Sequence, residues 1–195
     1  MPVRSSPRLL EPTTVRALEE RSFNAWPARQ TVFFDGWLFR LSGGYTKRAN
    51  SVNAAQPGAS FEGVRRAAEA FYGRHGLPAV FRLSPLAPPE ADQELAQAGY
   101  VLFDPSQVAC ASLAGAAPQP GVRIDSVPSP AWLEGIAAAN GVAPPQDQLH
   151  HGMVRAIAWP AAFATLHDEG DAIGFGLAVL ERGAVGLYDI VVSPG

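Results

Sequence analysis

The spacing of apolar positions switches repeatedly between a helical and an alternating period, and those switches predict the order of elements. Thr13 reads as an N-cap, and Val15, Leu18, Ser22, Ala25 and Trp26 share one face of the helix that follows, which Pro27 ends. Thr31 to Leu41 alternates imperfectly around Asp35-Gly36 and predicts a strand pair or one bent strand. Beyond the Gly43-Gly44 break, Tyr45 to Ala54 is dense in hydrogen-bonding groups; it is read as a strand, either an exposed edge or the wall of a cleft. Ser60 then caps a helix with Phe61, Val64, Ala67, Ala68, Phe71 and Tyr72 on its apolar stripe and Gly76 as its stop. Ala79 to Leu83 predicts a short strand. Pro88-Pro89 opens a helix that runs through Glu94 and Leu95 to Gly99, and Tyr100 to Leu113 predicts a strand interrupted at Asp104-Pro105.

Composition shifts at Ala114 to Gly121, which is rich in Pro, Gly and Ala, has no apolar period and reads as a linker. Val122 to Val127 restarts the chain as a strand. Ser129-Pro130 is an N-cap followed by proline at the first helical position, Trp132, Leu133, Ile136 and Ala137 form the buried stripe, and Gly141 is the stop. Pro145 to Ile157 predicts a second helix, and Ala161 to His167 a strand closed by the turn Asp168-Glu169-Gly170-Asp171. Last comes a hairpin, with arms Ile173 to Leu180 and Val185 to Val192 around Glu181-Arg182-Gly183. Its continuous apolar run Leu187 to Val192 reads as a strand buried on both faces, stopping at Ser193-Pro194-Gly195. Strands and helices in this succession define an α/β (α+β) fold, with helices packed on mixed sheets. Residues 1–113 and 122–195 are expected as two domains joined by residues 114–121.

Composition excludes more than it selects. At 195 residues and 47% apolar the chain can build one sizeable core or two small ones. A net charge of -3 and a pI near 5.8 give no footprint for nucleic acid or an anionic membrane, and the early arginines alternate with Glu11, Glu19 and Glu20 as on a solvated helix face. No apolar run reaches the ~20 residues of a membrane span, no leader pattern is present, and residues 1–10 read as a disordered lead. The single cysteine, Cys110, forbids an internal disulfide, which suits the cytoplasm; it is expected to be a buried strand residue. His150-His151 diverge on a helix, and Asp168 to Asp171 lacks calcium-loop spacing, so no metal site is expected.

The order strand, two helices and three-strand meander, ending in Leu187-Tyr-Asp-Ile-Val-Val-Ser-Pro-Gly195, resembles the first half of a GNAT (Gcn5-related N-acetyltransferase) domain, whose fourth strand reads apolar-x-apolar-Val-x-Pro. Leu95-Ala-Gln-Ala-Gly-Tyr100 is similar to the family's Leu-x-x-x-Gly-Tyr/Phe helix end. Gly36-Trp-Leu-Phe-Arg-Leu-Ser-Gly-Gly-Tyr-Thr-Lys-Arg-Ala-Asn-Ser-Val-Asn53 resembles a stretch of tandem-domain members. The resemblance implies two GNAT-like units, the first degenerate and the second incomplete, and transfer of acetyl from acetyl-CoA to a small-molecule or peptide amine. Ile190, Val191 and Val192 would supply the strand amides that bind the cosubstrate and polarise its acetyl carbonyl. Asp189 and Tyr188 are the nearest candidates to move the amine's proton, and strand alternation sends them to opposite faces. The pyrophosphate turn, Arg/Gln-x-x-Gly-x-Gly/Ala at a helix N-terminus, occurs in neither half; the first half's candidate loop, Gln56-Pro-Gly-Ala-Ser-Phe-Glu-Gly63, precedes a helix but lacks the spacing, and Pro57 removes a donor. The 195-residue chain is therefore expected to be inactive by itself, with no saturable acetyl-CoA binding. The alternative is a non-catalytic GNAT-shaped binding module. The amine acceptor and the oligomeric state are not legible.

Overall fold

The computed structural model describes residues 10–115, 117 and 119–192; most of the lead and the Ser193-Pro194-Gly195 stop lie outside them. The chain divides into two compact units between Glu94 and Leu95. Each carries one four-stranded sheet, and the fold is α+β as expected from the element order.

The first unit contains α1 (Pro12–Ala25), β1 (Gln30–Phe34), β2 (Trp37–Leu41), a 3-10 turn at Lys47–Ala49, β3 (Val52–Ala54), α2 (Val64–Gly73) and β4 (Phe81–Arg82); α3 (Pro89–Gln97) spans the unit boundary. Strands run in the order β1-β2-β3-β4, antiparallel except for the parallel pair β3 and β4. The predicted strand pair forms around Asp35-Gly36, both at positive φ, which glycine tolerates and a short aspartate adopts at modest cost. Trp37, Phe39 and Val52 are buried; Trp37 packs on Phe61, in the turn before α2, at 5.3 Å, and Phe39 on Phe71 of α2 at 5.7 Å. Arg40 points to the opposite face. It donates to the carbonyls of Arg48 (2.8 Å), Phe23 (3.3 Å) and Trp26, and so ties β2 to the C-terminus of α1.

Four expectations are corrected here. Glu11, not Thr13, precedes α1, and its side chain makes no capping bond; Pro12 in the first turn supplies the preset φ instead. Helix α2 starts at Val64 after Gly63 (φ 73°), while the Ser60 hydroxyl accepts from Glu62 N–H at 3.1 Å; the helix ends at Gly73, three residues before Gly76. Tyr45 to Ala54 is not one strand and not an exposed edge. Asn50 folds it back, its Oδ1 accepting from the N–H groups of Ser42 (2.7 Å) and Gly44 (3.0 Å) and its Nδ2 donating to the carbonyls of Tyr45 and Thr46 (2.8 Å each), and Ser51 and Asn53 end buried. Tyr100 to Leu113 forms no strand. Val101 and Leu102 are 80% and 82% exposed, and Cys110 is exposed with them, because the segment pairs with no sheet.

Tyr72 gives this unit a pH signature. Its side chain is fully buried, and its hydroxyl donates to the Arg40 carbonyl at 2.8 Å; burial holds the phenol's pKa above its ordinary value. A raised folded pKa means that the unfolded chain releases this proton first, so the contribution is intact below pH ~10 and is lost as pH rises above it. Spectrophotometric titration should show one of the four tyrosines ionising only as the first unit unfolds, and Tyr72→Phe should abolish that step. Smooth titration of all four before unfolding would contradict this.

The second unit follows the predicted order: β5 (Val122–Asp125), α4 (Pro130–Ala139), α5 (Gln146–Arg155), β6 (Ala161–Asp168), β7 (Asp171–Glu181) and β8 (Ala184–Val192), all antiparallel in the order β5-β6-β7-β8. Ser129 caps α4 as its sequence indicates, accepting from Trp132 N–H at 3.1 Å. Glu169-Gly170 and Arg182-Gly183 are two-residue turns with both φ values positive, the geometry whose twist matches a hairpin. Trp132, Leu133, Ile136, Ala137, Met153 and Val154 from the helices close over Phe163, Phe175, Leu177 and Val179 of the sheet. Trp132 meets Phe163 edge-on at 5.0 Å and donates its indole N–H to the Ala164 carbonyl at 2.9 Å. Among the described residues no helix is long and apolar enough to cross a membrane.

Candidate functional site at the bulge of the last strand

Strand β8 lies at the end of its sheet, so one row of its backbone groups has no partner strand among the described residues. It is also irregular. Val191 pairs with Phe175 and Tyr188 with Leu177, which leaves Asp189 and Ile190 together opposite Gly176. This is a β-bulge, and Asp189 takes the kink at φ 51°. Sequence shapes the partner strand for it: a Cβ on Gly176 would sit 2.7 Å from Ile190 Cδ1, and one on Gly174 would be 3.3 Å from the Val191 carbonyl oxygen. Glycines at both positions let the bulged backbone approach β7.

The carboxylate of Asp189 is held from the helical layer. His150 Nε2 on α5 lies 2.9 Å from its Oδ2, and Asn140 Nδ2, at the C-terminus of α4, donates to its Oδ1 at 3.3 Å. His150 is 1% exposed, so this contact is buried on the histidine side. Left-handed backbone at a non-glycine residue costs about 1–2 kcal/mol, a sum that two hydrogen bonds to a charged acceptor can offset. Asn140 is itself fixed, donating also to the Ile136 carbonyl at 3.0 Å. His151 goes elsewhere, to the Leu133 carbonyl at 3.2 Å, so the two adjacent histidines serve different partners.

Two expectations about this strand change. Asp189 and Tyr188 do not diverge to opposite faces: Tyr188 faces the helices with its cross-strand partner Leu177, and the bulge cancels alternation and turns Asp189 the same way. Tyr188 folds back over Gly186, where a Cβ would lie 2.6 Å from its hydroxyl. Nor is Leu187 to Val192 buried on both faces. Leu187, Ile190 and Val192 are 57–67% exposed, on the face away from the helices, and Val122 and Ile124 of β5 add to the same uncovered apolar surface. Val191, paired with Phe175, is half-buried on the helical side.

Sequence reasoning placed Asp189, Tyr188, Ile190, Val191 and Val192 on one strand but missed His150 and Asn140. The partners of Asp189 lie 39 and 49 residues away, a separation for which no local spacing gives a signal.

Comparison with known proteins gives a relative and a family. An uncharacterized N-acetyltransferase, YobR, of Bacillus subtilis (strain 168) is 27% identical over 187 residues, covering 92% of this chain and 74% of that protein. No solved structure matches. The family described as "Probable histone acetyltransferase Rv0428c C-terminal" matches residues 13–185, from α1 through both sheets to the start of β8. The chain therefore belongs to that family.

Proposed function

We propose that the protein is an N-acetyltransferase of the tandem GNAT type, moving the acetyl group of acetyl-CoA to an amine, with the second unit presenting the thioester. The observation that carries this is the bulged edge strand β8, turned at Asp189 just before Ile190, Val191 and Val192, whose backbone groups facing away from β7 have no partner strand among the described residues. Acetyl-CoA supplies the activated acyl group. What the chain supplies is a fixed set of backbone N–H donors, preorganised at a site where charge develops on the acyl oxygen. The donor set fits the thioester end; the nine residues of β8 include no basic side chain to pair with phosphates.

The attacking amine must be neutral, so a proton has to leave it. Asp189 and Tyr188 are the groups nearest the strand amides. Both Asp189 oxygens already accept hydrogen bonds, which suits Asp189 to holding the strand, and Tyr188 is the other candidate for proton movement. The name of the matching family includes the word histone, which makes a lysine ε-amine the first acceptor class to test.

The test is an amide NMR titration of the whole chain with acetyl-CoA. Shifts should concentrate at Ile190, Val191 and Val192 and stay unsaturated through the millimolar range, since the 195 residues hold no Arg/Gln-x-x-Gly-x-Gly/Ala turn. No shift on β8, or saturable binding centred in the first unit, would overturn the assignment and favour a non-catalytic module or a different site.

A further inference from the structure

We infer that His150 and Asn140 are positioning residues: by gripping Asp189 from two helices they set the bulge of β8, and with it the direction of the amides at Ile190, Val191 and Val192. This rests on β8 being the thioester strand, as proposed above.

Asp189 is the place where the strand departs from regular geometry, at a left-handed φ of 51° that a short aspartate adopts at modest cost and glycine at none. A bulge held only by its own backbone could slip by one residue and send every following side chain to the other face. Here the carboxylate is anchored outside the sheet. Asn140 sits at the α4 terminus with its own Nδ2 shared between Ile136 and Asp189, and His150 lies in the buried face of α5 beside Met153 and Val154. The His151 contact to Leu133 joins α5 to α4, so the two grips belong to one connected layer. The result is a three-point lock between helix, helix and edge strand, built from residues that no β-ladder requires. Its effect is to fix where the open N–H groups point, which is what preorganised donors need.

The experiment is amide hydrogen exchange of those residues among 188–192 whose N–H groups face β7, in the full chain, without any ligand. His150→Leu should speed exchange there about fivefold or more, the equivalent of one lost hydrogen bond, while leaving Trp132 to Ile136 of α4 unchanged. His150→Gln should restore protection to within about twofold, because its amide nitrogen can occupy the position of ring Nε2. The decisive variant is Asp189→Gly, since glycine adopts positive φ without support. In that background His150→Leu should add nothing.

Equal acceleration in both backgrounds, or no rescue by glutamine, would show that His150 merely fills space and would overturn the proposal. Should His150→Leu fail to fold, Asn140→Ala at the exposed end of α4 tests the same lock; it should accelerate exchange with Asp189 present and not with Asp189→Gly. Because exchange is read without acetyl-CoA, a confirmed lock together with a failed titration would sink the thioester assignment alone, and the reverse pattern would sink the lock alone.

Discussion

Arg40→Met is expected to destabilise the first unit by about 3 kcal/mol or more, the larger of two effects that the packing predicts. Helix α1 has no basic residue in its last turn. Arg40 supplies one from β2, donating to the carbonyls of Phe23 and Trp26 and to Arg48 in the 3-10 turn, with its guanidinium 5.0 Å from the centre of the Phe23 ring. The side chain is 2% exposed, and burial, reinforced by Arg82 and Arg48, lowers its pKa to about 10. It therefore remains charged at neutral pH. Methionine would fill most of the volume but leave buried carbonyls without donors, each a loss of about 1 kcal/mol or more. Arg40→Lys keeps the charge yet cannot reproduce the fork, and should fall between the two. Urea unfolding followed by amide exchange in β2 measures this directly; a loss below about 1 kcal/mol for Arg40→Met would mean that solvent replaces the missing donors.

Gly135→Ala should destabilise the second unit by about 2 kcal/mol, against the usual gain of nearly 1 kcal/mol for replacing a helical glycine. Gly135 lies inside α4, and its missing side chain is the floor on which Phe175 packs: an added Cβ would sit 2.2 Å from Phe175 Cζ and 2.6 Å from Cε1. Phe175 is 8% exposed and cannot swing aside without opening the core. Pairing the change with Phe175→Leu makes room for the methyl, so the double variant should lose less than the sum of the single losses. Thermal unfolding of the four proteins gives the cycle; additive losses would place the strain elsewhere.

Local chemistry explains why so much of the second unit was legible. Ser129-Pro130, the stripe from Trp132 to Ala137 and the Glu-Gly and Arg-Gly turns act within a few residues of themselves, and each does in the structure what its pattern indicates. The misread segments depend on distant partners. Tyr45 to Asn53 looks like an exposed strand because Asn, Ser and Arg are polar, but Asn50 spends that polarity on backbone groups of its own turn, and Ser51 and Asn53 are buried. Tyr100 to Leu113 has strand composition without a strand to pair with. At the candidate site, the apolar run of β8 showed that it was a strand, whereas its bulge was invisible: Asp189 takes its backbone angle beside His150 and Asn140, which the chain brings in from two helices.

The central claim, that the bulged edge of β8 presents backbone donors to an acetyl thioester, is tested most directly by hydrogen exchange of Ile190, Val191 and Val192 in millimolar acetyl-CoA compared with free CoA. Slower exchange at these residues with acetyl-CoA than with CoA is the predicted result. Identical exchange in the two, or protection confined to the first unit, would contradict it.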